Sequence, residues 1–377
     1  DEGYGISGAA VEFLCENSFD LMITVDCGIS ATDRIEQIKE GLVLKGRKMD
    51  VIITDHHQPD SNCLPDVLAL INPHLPYSEY PFSKLCGAGV AFKLVHALCK
   101  RLNLGDEYFK YIDLACLGTV ADIVELTGEN RVIVQAGLRK IQKCPNPGIQ
   151  ALLEAAEIKN GNVDAWRLAF IIAPRVNAAG RMGDATRAVT LFTSSDPSRS
   201  EELARQLHND NSKRQKIQTE IFRKALEIID GDLNFRNRKV IVVSGDEWHQ
   251  GVIGIVASML VEHYYKPCFV MSVSGDEAVC SARSIDGFNI YDGMEYCRDL
   301  LVRYGGHEKA GGLTIKKSNI DRFSERINEY AERILKSADM QPKLEIDADV
   351  QIEEININSA GALTAMAPFG EGNPKPL

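Results

Sequence analysis

The sequence predicts an α/β protein with a mostly parallel sheet domain, a long connecting helix, a smaller α/β domain and the start of a β domain. Between Val11 and about Ser195, runs rich in Val and Ile alternate with helical patterns, which is typical of β-α-β units. A charged stretch follows, with apolar residues at helical spacing, and then a second alternating segment begins. These three observations predict the fold class.

The order of the elements divides the chain into four segments. We expect a first domain over 1–195, a connecting helix over 196–235, a smaller α/β domain over 236–338 and the start of a third domain over 339–377. A surface helix of the first domain would show the same pattern as the connecting helix. From Lys343 the chain reads KLEIDADVQIEEI, which is strand-like, and it ends in the turn-rich PFGEGNPKPL. Because the first residue is Asp1 rather than Met, we expect a piece of a longer protein.

Composition excludes several classes of protein. Of 377 residues, 45% are hydrophobic and 25% charged, and the longest uncharged apolar stretch, Trp248 to Val261, is shorter than the roughly 20 residues of a membrane helix. We therefore expect no membrane association. Ten cysteines without a C-x-x-C pair indicate a reducing cytoplasm. The net charge of −11 argues against coating a nucleic-acid backbone along its length, so any polyanion must be bound locally.

Acidic and imidazole side chains follow successive strand-like runs. Asp26 follows FDLMITV and Asp55 follows VIIT 29 residues later, close to the roughly 30 residues of a β-α-β unit. Ligands of parallel sheets bind outside the carboxyl ends of the strands, so both aspartates point into one crevice. His56 and His57 come next, and Asp122 lies in the apolar GTVADIVEL, where an unpaired carboxylate is costly. Such a set suits Mn²⁺ or Mg²⁺, and two bridged ions hydrolyse phosphoesters.

Taken alone, the tripeptide Asp55-His56-His57 has a second explanation. Two solvated loop histidines after a capping aspartate would give the same letters. The neighbouring Asp26 and the costly Asp122 favour the metal site.

The second alternating segment carries candidate phosphate contacts. Ser281 and Arg283 alternate on a predicted strand, so that a hydroxyl and a guanidinium share one face. The cluster GGHEKAGG contains Gly306 and His307, and its glycines let backbone N–H groups approach an anion. An ordinary glycine turn and an ordinary surface serine and arginine remain alternatives.

Two arginines occupy the small-residue segment PRVNAAGRM, which we expect to be a loop. Neither Arg175 nor Arg181 has an acidic neighbour before Asp184. Unpaired arginines beside glycine and alanine suit a row of phosphates. They could equally pair with carboxylates of a neighbouring domain.

With TVDCG, ITDHH, LCGAGVAFKL, GTVADIV, PRVNAAGRM and GGHEKAGG in this order, the chain resembles the DHH phosphoesterases, specifically the bacterial RecJ type. The resemblance spans nearly the whole chain. It implies a DHH catalytic domain, a DHH-associated domain and the start of an OB-fold. It also implies an exonuclease that degrades single-stranded DNA from 5′ to 3′ with Mn²⁺ or Mg²⁺ in DNA repair and recombination. Such enzymes are expected to be monomers, and a single-strand binding protein or a helicase is a plausible protein partner.

The resemblance also implies roles for individual residues. Asp26 would be shared by two metal ions, and His56 and Asp122 would be further ligands. Asp55 would orient His56, and His57 would contact the scissile phosphate or assist proton transfer. The two domains would close over one strand of DNA and exclude a duplex by width. The residues implied to hold phosphates are Ser281, Arg283 and His307, helped by Arg175 or Arg181.

One motif of the family is not found in the sequence. An Asp-x-Asp-Gly on the first strand would precede Asp1, so we expect this chain to be weakly active or inactive and the full-length protein to be a nuclease. Two other hypotheses stay open. One is a DHH-family oligoribonuclease or nucleotide bisphosphate phosphatase, and the other is a catalytically silent DHH-like scaffold that binds nucleic acid. A scaffold has no need for four costly polar groups in one crevice.

Overall fold

The structure is a computed structural model, which describes residues 5–143, 145–182, 184–231, 235, 238–336 and 340–377. The chain divides into two compact units. Unit 1 comprises Asp1–Asn177, Gly183–His208 and Ile346–Leu377, and unit 2 comprises Ala178–Met182 and Asn209–Glu345.

Unit 1 contains a three-stranded parallel sheet with the strand order β1-β2-β3. Its strands are β1 (Leu21–Val25), β2 (Asp50–Thr54) and β3 (Ala69–Ile71). The helices in this part of the chain are α1 (Gly8–Glu16), α2 (Thr32–Leu44), α3 (Gly87–Arg101), α4 (Ile112–Ala121), α5 (Gly128–Lys143), α6 (Pro147–Ala155), α7 (Ala165–Arg167), α8 (Ala173–Met182), α9 (Thr186–Thr193) and α10 (Pro197–Gly231).

The spacing of apolar residues explains the first β-α-β unit. Ile35, Ile38 and Leu42 recur every three or four residues along α2, and they pack against Val51 and Ile53 of β2. Strand β1 ends immediately before the first predicted metal ligand, and β2 ends immediately before the D-H-H tripeptide. The predicted position of the aspartates at the carboxyl ends of neighbouring strands is therefore confirmed.

The segment PRVNAAGRM is helical, so the expectation of a loop was wrong. It forms α8, which follows a π-helical turn over Leu168–Ile172. Pro174 lies directly after the π-helical turn, in a helical run that is continuous from Ala165 to Met182, and alanine is the best helix former. Ala178 and Ala179 are buried, so the small residues pack closely.

The charged stretch after it forms the predicted long helix. Helix α10 has 35 residues, and the boundary between the two units falls within it.

The strand expected from Lys343 is not formed. Residues 341–350 have no regular secondary structure, and α14 (Ile357–Ala365) follows. Further on, the carbonyl of Glu371 accepts a hydrogen bond from Leu126 N at 2.7 Å, within unit 1. An alternating pattern makes a strand only beside a partner strand, and none of the strands described here pairs with 341–355.

Unit 2 contains a five-stranded mixed sheet with the order β4-β5-β6-β8-β7, in which β4 and β5 are parallel and the other pairs antiparallel. The elements of unit 2 are β4 (Ile241–Asp246), α11 (Gln250–Tyr264), β5 (Cys268–Ser274), β6 (Glu277–Arg283), α12 (Ile290–Tyr296), β7 (Leu301–Gly306), β8 (Ala310–Lys316) and α13 (Ile320–Ile334). One face of the sheet packs against α11 and the other against α12 and α13.

The alternation of β6 confirms the predicted common face of Ser281 and Arg283. Ala278, Cys280 and Ala282 point into the core that contains α12 and α13, whereas Ser281 and Arg283 point to the other face. Among the described helices of both units, none is long and apolar enough to cross a membrane.

Candidate metal centre and anion site

The first predicted ligand lies where β1 turns out of the sheet. The N–H of Asp26 donates to Thr54 O at 2.9 Å, which extends the pairing of β1 and β2 by one residue. Its φ of +63° lies in the left-handed region, which aspartate tolerates better than most residues. The turn directs the carboxylate toward the residues that follow β2.

Asp55 is the residue that organises the D-H-H tripeptide. It is 1% exposed, and its Oδ1 accepts hydrogen bonds from His56 N at 2.7 Å and from the His57 ring nitrogen Nδ1 at 2.7 Å. Its Oδ2 accepts from Ile29 N at 3.0 Å. Burial alone would raise the pKa of Asp55, but the hydrogen bonds hold its pKa below the usual value. The group is thus an ionised carboxylate inside the protein.

The resemblance gave Asp55 the task of orienting His56, and the geometry is different. Its side chain contacts the ring of His57, and it reaches His56 only at the backbone N–H. Because the ionised carboxylate accepts from Nδ1, Nε2 is the ring nitrogen of His57 left for another partner, and the His57 side chain is 59% exposed.

His56 joins the two carboxylates that the sequence separates. Its Nε2 lies 3.0 Å from Asp26 Oδ1 and 3.6 Å from Asp122 Oδ2. Nε2 is buried and has no hydrogen-bond partner among the described residues. Asp122 ends α4, where its N–H donates to Gly118 O at 3.0 Å, and Ile123 turns the chain with a φ of +57°. The three predicted ligands therefore meet.

The electrostatics of this cluster indicate a missing positive charge. The Asp26 carboxylate raises the pKa of His56 above its usual value, against the effect of burial, and Asp122 adds to the increase. Burial raises the pKa of Asp122 above its usual value; the charges of His56 and His57 oppose the increase, and the charge of Asp26 adds to it. Groups that gain protons in this way also favour a metal cation in the same place.

The donor set fits a divalent ion. Ligand atoms of Asp26, His56 and His57 all lie within 4.8 Å of one another. Carboxylate oxygens with one or two imidazoles suit Mn²⁺ or Mg²⁺ better than a structural zinc ion. The unpartnered Nε2 of His56 is the atom that such an ion would satisfy.

Two neighbours of the site were missed from the sequence. A Cβ at Gly87 would lie 2.1 Å from Asp26 Oδ1, so the first turn of α3 packs directly against the ligand. Glycines at the start of the CGAG segment were the available signal.

His74 is connected to the site through Asn72, which accepts from His74 N at 2.8 Å and donates to His57 O at 2.8 Å. Burial and the charge of His56 both lower the pKa of His74. A lone histidine after a strand gave no signal for it.

The predicted phosphate contacts of unit 2 lie around α11. Arg181 donates from Nη1 to Gly251 O at 2.9 Å, in the first turn of the helix. One turn later, a Cβ at Gly254 would lie 3.3 Å from Ser281 Oγ and 3.4 Å from Arg283 Nη2. Three predicted residues from distant parts of the chain are thus brought to the same helix.

The glycine cluster spans the turn between β7 and β8, so the alternative of a glycine turn between strands describes its position. The N–H of His307 donates to Ala310 O at 2.8 Å, and Ala310 pairs with Arg283 across β8 and β6. Gly306 has a φ of +150°, and a Cβ there would lie 2.5 Å from Ala310 O. Only glycine fits this position.

Arg175 belongs to unit 1, whereas the other predicted phosphate contacts belong to unit 2. It is half-buried on α8, where its Nη1 donates to Ile171 O and its Nε lies 3.3 Å from His208 Nδ1. Burial lowers its pKa. Part of its donor capacity is therefore used within the protein.

Two families of domains match the chain. Residues 3–119 match the N-terminal domain of the DHH family, and residues 237–333 match the DHHA1 domain. The first range contains Asp26, His56 and His57, and the second contains Ser281 and Arg283.

Curated relatives give a more specific likeness. The chain is 39% identical over 377 residues to the single-stranded-DNA-specific exonuclease RecJ of Bacillus subtilis, across 100% of this chain and 46% of the relative. It is 33% identical over 399 residues to the protein of the same name from Salmonella typhimurium, across 100% of this chain and 67% of the relative. The chain spans about half the length of the Bacillus subtilis relative.

Solved structures agree with this likeness. RecJ of Thermus thermophilus in complex with Mn²⁺ matches with a TM-score of 0.85 and 33% identity, over 98% of this chain and 53% of that one. An exonuclease RecJ bound to manganese matches with a TM-score of 0.73 and 35% identity, over 88% of this chain and 80% of that one. The Mg²⁺ complex of the Thermus thermophilus protein matches with a TM-score of 0.77 and 31% identity, over 95% of this chain and 50% of that one. Together with the ligands that meet at His56, these matches show that the chain belongs to the RecJ family, within the DHH family of proteins.

Proposed function

We propose that the protein is an exonuclease that hydrolyses single-stranded DNA from 5′ to 3′ with Mn²⁺ or Mg²⁺, in DNA repair and recombination. The observation that carries the proposal is the meeting of Asp26, Asp122 and the unpartnered Nε2 of His56, in a chain of the RecJ family. Relatives named single-stranded-DNA-specific exonucleases, and relatives solved with Mn²⁺ and Mg²⁺, support it.

The chemistry follows from the donor set. Asp26, His56 and Asp122 would hold the ions, which would neutralise charge on the phosphate oxygens and make a water molecule a better nucleophile. Asp55 holds the His57 ring through Nδ1, so the Nε2 of that ring can hydrogen-bond to the scissile phosphate or pass a proton. The buried Asp55 thereby acts as a positioning residue.

The residues around α11 are proposed to hold the phosphates of the strand. Ser281 and Arg283 share one face of β6, and the opposite residues Gly312 and Gly305 have no side chain there. A Cβ at Gly305 would meet no atom within 4 Å, so a phosphate backbone can approach the sheet closely. The remaining proposed contacts are Gly306, His307 and Arg181, with Arg175 as the alternative arginine.

We also propose that the protein acts as a monomer in the cytoplasm, with a single-strand binding protein or a helicase as a partner. All nine cysteines described in the structure are free thiols, which supports a reducing compartment. Gel filtration with light scattering tests the monomer, and co-elution with a single-strand binding protein tests the partner.

The test of the function measures nucleotide release by the natural full-length protein with Mn²⁺. A single-stranded DNA labelled at its 5′ end should give labelled mononucleotides at once, and duplex DNA of the same sequence should remain intact. Asp122→Asn should lower the rate by at least about 100-fold, because it removes a ligand. The matched control is Asp246→Asn, since Asp246 has an 82% exposed side chain on β4 of unit 2.

Two other outcomes would replace the proposal. Preferential hydrolysis of short oligoribonucleotides or of a nucleotide bisphosphate would assign the site to the small-substrate enzymes of the DHH family. Tight binding of single-stranded DNA without hydrolysis, by the full-length protein in Mn²⁺ and in Mg²⁺, would favour the silent scaffold.

A further inference from the structure

Helix α10 buries an arginine whose hydrogen-bond partners among the described residues are neutral amides. Arg214 is 8% exposed. Its Nη2 donates to Asn211 Oδ1 at 2.6 Å and its Nη1 to Gln218 Oε1 at 2.8 Å. Its Nε is buried and has no hydrogen-bond partner among the described residues. A cation in this position is costly, because neither amide compensates its charge.

The charge of a second arginine, Arg181, acts on Arg214. Burial lowers the pKa of Arg214, and the charge of Arg181 lowers it further. Both side chains are tied to α11, Arg181 through Gly251 O and Arg214 through Gln218, whose Nε2 lies 3.0 Å from Met259 Sδ. The unpaired Nε and the repulsion between the two guanidinium groups are both relieved when an anion lies between them.

We infer that Arg214 and Arg181 together bind one phosphate group of the DNA strand. The unpartnered Nε–H of Arg214 would donate to the phosphate, and Arg181 would supply the second positive charge at the first turn of α11. Guanidinium groups match phosphate geometry through two parallel N–H bonds. The inference rests on the proposed function, because that function makes the phosphate part of a nucleic acid.

A ligand role and a structural role make opposite predictions for the stability of the protein. Replacing a buried, unpaired cation by an apolar residue of similar volume stabilises a protein, whereas deleting a structural contact destabilises it. We therefore expect Arg214→Met to raise the melting temperature of the full-length protein by about 2–4 °C in EDTA. The same variant should bind a 5′-phosphorylated dT oligonucleotide at least about 10-fold more weakly.

The experiment uses three comparisons. Arg181→Met should weaken binding of the oligonucleotide to a similar extent. Arg223→Met on the same helix is the matched control, because Arg223 is exposed and pairs with Glu227, and it should change neither quantity. A 5′-hydroxyl oligonucleotide identifies which phosphate is bound. If Arg214→Met weakens binding of the 5′-phosphorylated strand alone, the site holds the terminal phosphate. If it weakens binding of both strands equally, the site holds a phosphate between nucleotides. Both results support the inference.

An Arg214→Met variant that melts at a lower temperature and binds as tightly as the wild type would overturn the inference. If that variant fails to fold, binding of the oligonucleotide by Arg214→Lys is measured instead, because lysine keeps the charge and lacks the planar guanidinium group. At least about 5-fold weaker binding supports the inference, and unchanged binding refutes it. If the wild type binds no oligonucleotide, the proposed function fails. Pyrophosphate then tests the inference separately, by a rise in melting temperature that the wild type shows and Arg214→Met lacks; equal rises refute it.

Discussion

Gly87→Ala is the substitution that tests the metal centre most directly without removing a ligand. A Cβ at this position would lie 2.1 Å from Asp26 Oδ1, 2.3 Å from Asp26 Cγ and 2.5 Å from Asp26 Cβ. Rotating the carboxylate cannot relieve the overlap, because the Cβ of Asp26 is also too close. Either the backbone of Asp26 or the first turn of α3 must therefore shift.

The expected effect falls on metal affinity more than on stability. Overpacking of this kind costs about 1–3 kcal/mol of stability. A carboxylate moved by a large fraction of an ångström loses its place beside His56 Nε2, which lies 3.0 Å away in the native geometry. Changes to groups that position metal ligands lower affinity about 10- to 100-fold, which corresponds to about 1.4–2.7 kcal/mol of binding free energy.

Calorimetric titration of the folded protein with Mn²⁺ gives the affinity, and nucleotide release at increasing Mn²⁺ gives the activity. Gly137→Ala is a matched control, because its Cβ would lie 2.2 Å from Cys116 Cβ between α5 and α4. We expect Gly137→Ala to lower stability and to leave Mn²⁺ affinity unchanged. Wild-type affinity in Gly87→Ala, or equal losses of affinity in both variants, would refute the argument.

Three more predictions follow from the same structure. Gly118→Ala should lower the free energy of unfolding in urea by about 1–3 kcal/mol, because its Cβ would lie 2.4 Å from Ala88 Cβ. Adding Ala88→Gly should restore most of the loss, and strictly additive effects of the two substitutions would contradict this. Mn²⁺ at 100 times its Kd should stabilise the wild type by about 2.7 kcal/mol in thermal unfolding, and Asp122→Asn should lose most of this gain. In oligonucleotide binding, Arg181→Met should reduce the slope of log K against log salt by about 0.7. The effect of Arg175→Met should be smaller, because its guanidinium also bonds to Ile171 O; the reverse order would exchange their proposed roles.

Periodicity located the ends of the strands because a buried sheet imposes a short, readable apolar pattern. Asp26 and Asp55 could be placed from the lengths of two strands and one helix, and the structure has both at those ends. The side of the sheet on which Ser281 and Arg283 lie followed from the period of two in β6. In these cases one local rule determines the position of the residue.

The missed features depend on contacts between distant segments. Gly87 and Asp26 are brought together only when α3 packs against the end of β1. The helix over PRVNAAGRM was mistaken for a loop because small residues occur both in loops and in helices that pack closely against a neighbour. The burial of its alanines, which distinguishes the two, is known only from the structure. The partner of Asp55 was the wrong histidine, because adjacent residues project in different directions from the same turn.

The two candidate sites share one physical feature. The Nε2 of His56 and the Nε of Arg214 are both buried without a hydrogen-bond partner in the described residues. The first lies 3.0 Å from the Asp26 carboxylate, and the second is subject to the charge of another arginine, Arg181. Folding alone does not compensate such atoms, and leaving a buried polar atom unpaired costs about 1–3 kcal/mol. One site combines carboxylates and therefore favours a cation, and the other combines guanidinium groups and therefore favours an anion. Under the proposed function, the first site would hold the metal ions and the second would hold a phosphate of the strand.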